Sequence, residues 1–314
     1  MIHPTVRHTS PMNEFQVDLS TGMFVLRQTD LFVPDITPLV LTRASRVWDW
    51  DNYPFAFGKG ANHSYDICPT ATRNPYTLMY LNLEDATQIY FPRISKGTGY
   101  ADAVYRHYAT RSEFYEAQIA WNGDGWTLDF RDGRKFLFPE AYYSKSFAQG
   151  AATEMRDESG NRIQLKRDKV RNLAQLISPS GRTISFKYDD ANRITEAMDD
   201  AGKLRIYTYD SSGHLETVSD ASGLLYRLGY EPLLRAQDYD PYLMTTVSDG
   251  DGRVLLRNVY DRGRVSEQEL ANGQRYLYEY VVDRKYKVVE TIVRMPSAKV
   301  QRFFFRDGVP AGER

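Results

Sequence analysis

Through the second half of the chain, apolar residues alternate with polar ones at a period of two, in short runs that glycines interrupt. Counting from each glycine, the third, fifth or seventh positions hold Ile163 and Leu165; Ile184, Phe186 and Tyr188; Tyr207 and Tyr209; Tyr226, Leu228 and Tyr230; and Tyr276, Tyr278 and Tyr280. A period of two puts such side chains on one face of an extended strand, so each run predicts a strand with one buried face. A second apolar set follows, Leu173 and Leu176, Ile194 and Ala197, Leu215 and Val218, and predicts a return strand. One hairpin of this kind buries too little surface to stand alone in water. The units must therefore stack side by side into a continuous sheet. Arg167 and Arg205 break the pattern, and the sequence offers no account of either.

The glycines are evenly spaced. Gly160, Gly181, Gly202 and Gly223 stand 21 residues apart, and Gly252 and Gly273 repeat that interval after an insertion of eight around Pro232 to Tyr239. Each closes a four-residue turn such as Asp157-Glu158-Ser159-Gly160, Ser178-Pro179-Ser180-Gly181 or Asp199-Asp200-Ala201-Gly202. This is type I turn chemistry, in which the first side chain caps the turn's amides and the fourth residue takes a positive φ that glycine adopts without steric cost. All six glycines are thus expected at positive φ along one edge of an antiparallel sheet. The turn Leu270-Ala271-Asn272-Gly273 lacks the cap and is expected to be looser. A second turn in each unit is headed by Asp189 or Asp210, with Asn192 or Gly213 suited to positive φ. Tyr188, Tyr209, Tyr230 and Tyr280 fall at equivalent places and are expected to form a ladder on one face.

In the first half, Asn122-Gly123-Asp124-Gly125 and Asp132-Gly133 separate further strands. A bulged register that pairs Phe130 with Phe136 buries one face better than a symmetric turn opposing Phe130 to Lys135. Composition agrees with an all-β reading: the 314 residues include 23 Tyr, 15 Phe and 21 Gly. A net charge of -1 gives no field to recruit nucleic acid or anionic membrane. The lone Cys68 precludes an internal disulfide and a four-thiolate metal site. No apolar stretch is long enough for a signal peptide or a membrane span, so export would depend on something outside this chain.

Tyr188-Asp189-Asp-Ala-Asn-Arg-Ile194 and Tyr209-Asp210-Ser-Ser-Gly-His-Leu215 resemble the YD-repeat consensus of the Rhs family, with Tyr230-Glu231 and Tyr260-Asp261-Arg-Gly-Arg-Val265 as degenerate copies. Upstream, Asp18, Thr21-Gly22, a strand ending at Asp30 and the apolar strand Pro38 to Arg43 resemble the domain of unknown function that heads many Rhs proteins. That family continues with Gly-x-Gly-Trp, whereas Gly58-Lys59-Gly60 is followed here by Ala61. The resemblance implies stacked antiparallel hairpins in a large curved sheet or spiral shell segment. It also implies a flexible leader at 1–15, an N-terminal Rhs-associated β domain at 16–150, and a repeat array at 151–314.

Several constellations carry residue types that chemistry would need. Gly58 and Gly60 lack the Lys-Ser or Lys-Thr of a phosphate cradle. His63, Asp66 and Cys68 lack the spacing or second ligand pair of a metal or thiol site and read as a loop with a half-buried thiol. His3, His8, His107 and His214 are scattered. Asp189-Asp190 and Asp199-Asp200 fall in turns that use the first carboxylate as a cap. Trp48, Trp50, Trp121 and Trp126 could line a sugar-stacking platform but read better as strand packing. Asp240-Pro241 lacks the glycine of the self-cleavage motif that closes family shells, so no protease residues carry over, and no room for a toxin domain precedes Arg314.

The expected function is therefore a structural, non-catalytic shell segment of a bacterial polymorphic toxin, without cofactor or metal. It would enclose or present a C-terminal toxin lying outside this chain, and it would be cytoplasmic before export by a specialised secretion system. The expected partners are the remaining YD-repeat shell, that toxin and a secretion-system component. The alternative is a surface adhesin or carbohydrate-binding repeat protein with a glycan ligand. The strands carrying Val288-Val289, Ile292-Val293 and Phe303 to Phe305 show no cap, so an uncovered inner face and self-association are expected there.

Overall fold

The computed structural model describes residues 16–46, 55–142, 147–232 and 242–313; the expected leader at 1–15, His3, His8, Trp48, Trp50 and Asp240-Pro241 lie outside them. Among the described residues there are 27 strands and one helix, the four-residue Phe147–Gly150. The fold is all-β. A 19-strand antiparallel series of hairpins dominates it. By compactness the described chain falls into two units, one with residues 28–44 and 55–205, the other with 16–27, 45–46 and 206–313.

The first unit holds the earlier strands of the series, from Val104–Arg106 to Ile194–Asp199, each antiparallel to the next. It also holds the antiparallel trio Cys68–Ala71, Leu78–Asn82 and Gln88–Pro92. The second unit carries the later strands, through Val309–Glu313, and the short hairpin of Val17–Asp18 with Met23–Phe24.

Two local expectations need correction. Phe130 does not face Phe136. The pairs are Leu128 with Phe136 and Asp129 with Lys135. The turn begins one residue earlier than expected, with the Gly133 amide donating to Phe130 O at 3.1 Å and Gly133 at φ +96°. Phe130 and Phe136 still meet diagonally, with ring centroids 4.9 Å apart. Secondly, the turn at Leu270 is no looser in its bonding than the capped turns. Leu270 N donates to Gln274 O at 2.9 Å and Gly273 N to Leu270 O at 2.8 Å, while the Asn272 side chain accepts from Gln274 N at 3.0 Å.

The inner faces follow the period-two pattern. Ile163, Leu176, Ile184 and Ile194 are buried in the first unit, as are Leu215, Val218, Val265 and Val293 in the second.

Candidate functional site

The repeat turns obey one chemical rule. In the turns headed by Asp157, Asp168, Asp189, Asp199, Asp210, Asp249 and Asp283, one carboxylate oxygen accepts the backbone amides two and four residues on, at 2.8 to 3.1 Å. An aspartate at the head thus satisfies two amides that the tight turn leaves off the ladder. Gly160, Gly181, Gly202, Gly252 and Gly273 sit at φ between +79° and +92°, and Asn192 at +60°. Gly223 differs, at φ +130° and directly opposite Asp220, because the register shift in that hairpin falls between Val218 and Ser219. Ser178 heads its turn without a carboxylate. Asp35 supplies one from outside, accepting the hydroxyls of Ser178 and Ser180 and the Ser180 amide. Burial raises the pKa of Asp35, but these hydrogen bonds and the Ile36 amide outweigh it and hold the carboxyl at about 2.

β-bulges recur along the repeat hairpins, and the tyrosines act there. Register shifts next to Arg167, Tyr209, Tyr230 and Tyr260 place Leu173, Leu215, Met244 and Val265 just past a bulge. A bulge disrupts the ladder locally and leaves backbone groups to be satisfied elsewhere. The carbonyls of these four residues accept the hydroxyls of Tyr188, Tyr230, Tyr260 and Tyr280 at 2.7 to 3.0 Å. Each hydroxyl lies 15 or 16 residues beyond its acceptor, so it joins one repeat to the one before. Burial pushes the Tyr188 and Tyr280 hydroxyls well above their ordinary pKa, which keeps them protonated as donors. Tyr209 occupies the same place in its strand, paired with Leu215 across a bulge. Periodicity identifies Tyr188, Tyr209, Tyr230 and Tyr280 as a ladder, and the hydroxyl contacts of Tyr188, Tyr230 and Tyr280 are additional to it. The role of Tyr260 as a further donor was hidden by its shortened turn, where Arg262 at φ +49° and Gly263 at +82° make a two-residue connection.

Two bulges, those next to Tyr188 and Tyr260, receive the N-terminal segments. In the first unit Ile194 N donates to Ala56 O at 2.7 Å; in the second, Val265 N donates to Gly22 O at 2.8 Å. Ile194 and Val265 hold equivalent places, each just after the turn that follows a YD tyrosine. Gly22 lies at φ +78°, and a Cβ there would come within 2.8 Å of the Arg264 side chain. Thr291 Oγ1 donates to Leu19 O at 2.6 Å. Val17, Leu19, Met23 and Phe24 are buried, as are Val288, Ile292 and Val293. At Val288, Ile292 and Val293 the inner face expected to lie uncovered is thus buried, and the segment that carries the hairpin Val17–Asp18 with Met23–Phe24 reaches it through Leu19.

Arg167, unexplained in the sequence, holds the slot 21 residues before Tyr188. Its buried guanidinium donates to Asp66 Oδ1 at 2.8 Å, to Tyr65 O at 3.0 Å, to Ala152 O at 3.0 Å and to Arg171 O at 3.1 Å. Where other repeats use a tyrosine hydroxyl, this one uses a cation to bind the N-terminal segment. Burial raises the Asp66 pKa, but the Arg167 charge outweighs it and holds the carboxyl below its ordinary value. No comparable account emerges for Arg205, whose Nη1 donates to Leu204 O at 3.0 Å. Asp30 and Arg43, the two strand ends of the upstream motif, meet in a buried ion pair at 3.1 Å.

His63 is fully buried, stacked on Phe186 with ring centroids 6.0 Å apart and edge-on to Phe57 at 6.0 Å. Burial drives its imidazole down to about 4, opposed by Asp66 and reinforced by Arg167. Cys68 is buried and not half-buried as expected; burial and the nearby Asp66 raise its thiol to about 12, far from a nucleophile. No group of three metal-ligating side chains occurs among the described residues. His107 is fixed by Tyr90 O and Thr110 Oγ1, both at 2.7 Å, and His214 stacks on Tyr230 at 4.8 Å. Asp200 pairs with Arg182 at 2.8 Å, and Trp126 is buried edge-on to Trp121 at 5.3 Å.

Residues 188–225 match the family model of the RHS repeat. Among solved structures, the Photorhabdus luminescens Tc holotoxin pore is 11% identical at a TM-score of 0.25, over 93% of this chain and 21% of that chain. A TcdB2-TccC3 complex without its hypervariable C-terminal region is 10% identical at 0.20, over 90% and 22%. A porin-like protein from Bacteroides uniformis is 12% identical at 0.22, over 63% and 91%. The chain spans about a fifth of the length of these Tc chains. No curated protein matches it.

Proposed function

We propose that this chain, which carries an RHS repeat, is a non-catalytic wall segment of a larger bacterial shell that encloses or presents a toxin. The supporting observation is that its repeat sheet has two unlike faces. The inner face is buried and mainly apolar, with Asn258 and Gln268 bonded to each other within it. The outer face is threaded by exposed cross-strand ion pairs, Lys187 with Glu196, Arg227 with Glu216, Arg294 with Glu279 and Arg302 with Glu290, at 2.7 to 3.1 Å. Exposed pairs add little stability each, but they keep one side of the wall wetted. We take 16–150 as the β domain that heads the array and 151–314 as the array itself. The partners in this reading are the remaining repeats, a C-terminal toxin and the machinery that exports it.

The test is protease protection. The chain is expressed with the rest of its reading frame and exposed to a nonspecific protease. This reading expects the C-terminal segment to stay intact until the repeat sheet itself is cut; cleavage of that segment at the rate of an unfolded peptide would count against enclosure. Exposed Tyr90, Tyr100 and Tyr108 favour the second reading, a glycan-binding surface, which retention on a glycan array would support.

A further inference from the structure

We propose that His63 is an acid-sensitive latch, holding residues 55–68 on the repeat sheet while neutral and releasing them on protonation. The geometry is a box of three rings. Phe186 lies parallel to the imidazole at an interplanar angle of 16°, Phe57 stands edge-on at 87°, and Tyr65 tilts against it at 6.4 Å. Nδ1 accepts the Tyr65 amide at 3.3 Å, and Nε2 is buried without a partner among the described residues. With Nδ1 accepting, the neutral ring carries its one N–H on Nε2, so the added proton goes to Nδ1, where it removes the acceptor that the Tyr65 amide uses and sets two donors against each other.

Of the charged groups around the ring Asp66 favours an imidazolium most, Arg167 opposes it and Glu84 favours it more weakly, and burial outweighs them all. Asp66 is already bound to Arg167 at 2.8 Å, and the Arg167 cation faces the ring from the strand Arg162–Arg167. Glu84 attracts an imidazolium more weakly than Arg167 repels it. Arg43, from the strand Leu39–Ser45, lies over the Phe57 ring at 6.0 Å, its charge already paired with Asp30 at 3.1 Å. The strand Thr183–Tyr188 offers Phe186 and Tyr188, and the neighbouring Cys68 is a neutral thiol. Phe186 and Arg167 are also the side chains by which the repeat sheet grips the segment, with the Ile194 amide on Ala56 O as third contact. A charge placed on His63 thus bears on the first two of these contacts directly. This inference does not depend on the shell reading.

Hydrogen exchange of the full chain, resolved by peptide and corrected for intrinsic rate, tests it at pH 7 and pH 5. With the imidazole at about 4 when docked and at its ordinary 6.5 when released, the opening of 55–68 should rise about twentyfold between those two pH values. The strands Arg275–Val282 and Val288–Arg294 should hold their protection. His63→Phe, which keeps a ring on Phe186, should abolish the rise. Equal opening at both pH values in the native chain, or an undiminished rise in His63→Phe, would overturn the latch. Should that variant fail to fold, NMR titration of the native imidazoles decides: a His63 resonance titrating near 6.5 overturns the proposal, and one that stays neutral down to about pH 4 to 5 supports it.

Discussion

The N-terminal chain is anchored twice, and the two anchors share a backbone bond while differing in everything around it. At Val265 the acceptor is Gly22 O, and the supporting contact is a threonine hydroxyl on Leu19 O, so docking rests on neutral groups and on a backbone conformation that glycine tolerates. At Ile194 the acceptor is Ala56 O, and the supporting contacts are a buried ion pair and a buried neutral histidine. The bulge thus sets where a segment attaches. The side chains around it decide what breaks the attachment, which is charge state in one unit and backbone geometry in the other.

The largest expected effect is from Arg167→Leu, which strands Asp66 as a buried, unpaired carboxylate. Loss of about 3 to 5 kcal/mol is expected in denaturant unfolding of the first unit, and a loss below about 1 kcal/mol would show that the pair is not structural. Acidification comes next. The folded chain holds His63 neutral and an opened chain protonates it, so stability present above pH 6.5 is lost as pH falls toward about 4, by about 3 kcal/mol. Asp66, whose carboxyl is held low, adds a loss in the same direction only at lower pH. Melting curves from pH 7 to 4 should therefore show the first unit weakening well before the second. Gly22→Val and Gly202→Val each impose a positive φ on a branched residue and should cost about 1 to 3 kcal/mol. Gly202 is surrounded by open space and Gly22 abuts Arg264, so the first substitution should be the worse, and equal melting temperatures would dissolve that distinction. The smallest effect is from Tyr188→Phe or Tyr280→Phe, which leave one bulge carbonyl unpaired at about 1 kcal/mol each; a difference much beyond that between them would mean the two hydroxyls are not equivalent.

Much of this was legible in the chain because it is local. The aspartate turns, their glycines and the period-two strands depend on residues within one hairpin, and the 21-residue interval repeats that information. The pairing of Asp30 with Arg43 was visible only as two motif ends. What escaped depends on distant partners. Arg167 stands in a tyrosine slot, a signal open to anyone aligning the repeats, but its partner Asp66 is 101 residues away and belongs to no repeat. His63 looked like a loop residue because nothing nearby in sequence announces Phe186. The Phe130 register failed for a different reason: Asp132-Gly133 fits both a two-residue and a four-residue turn, and only the Arg134 carbonyl, which takes the Phe130 amide at 2.9 Å, distinguishes them.

The most direct test of this account is amide exchange at Ile194 and Val265, measured residue by residue by NMR at neutral pH. Both amides leave the hairpin ladder to bind an N-terminal carbonyl, so the account predicts that both exchange as slowly as their strand neighbours, only through opening of the docked segment. Exchange of either at the rate of the turn amides would mean that no segment sits on that bulge, and the picture of a repeat sheet covered by its own N-terminal chain would be wrong.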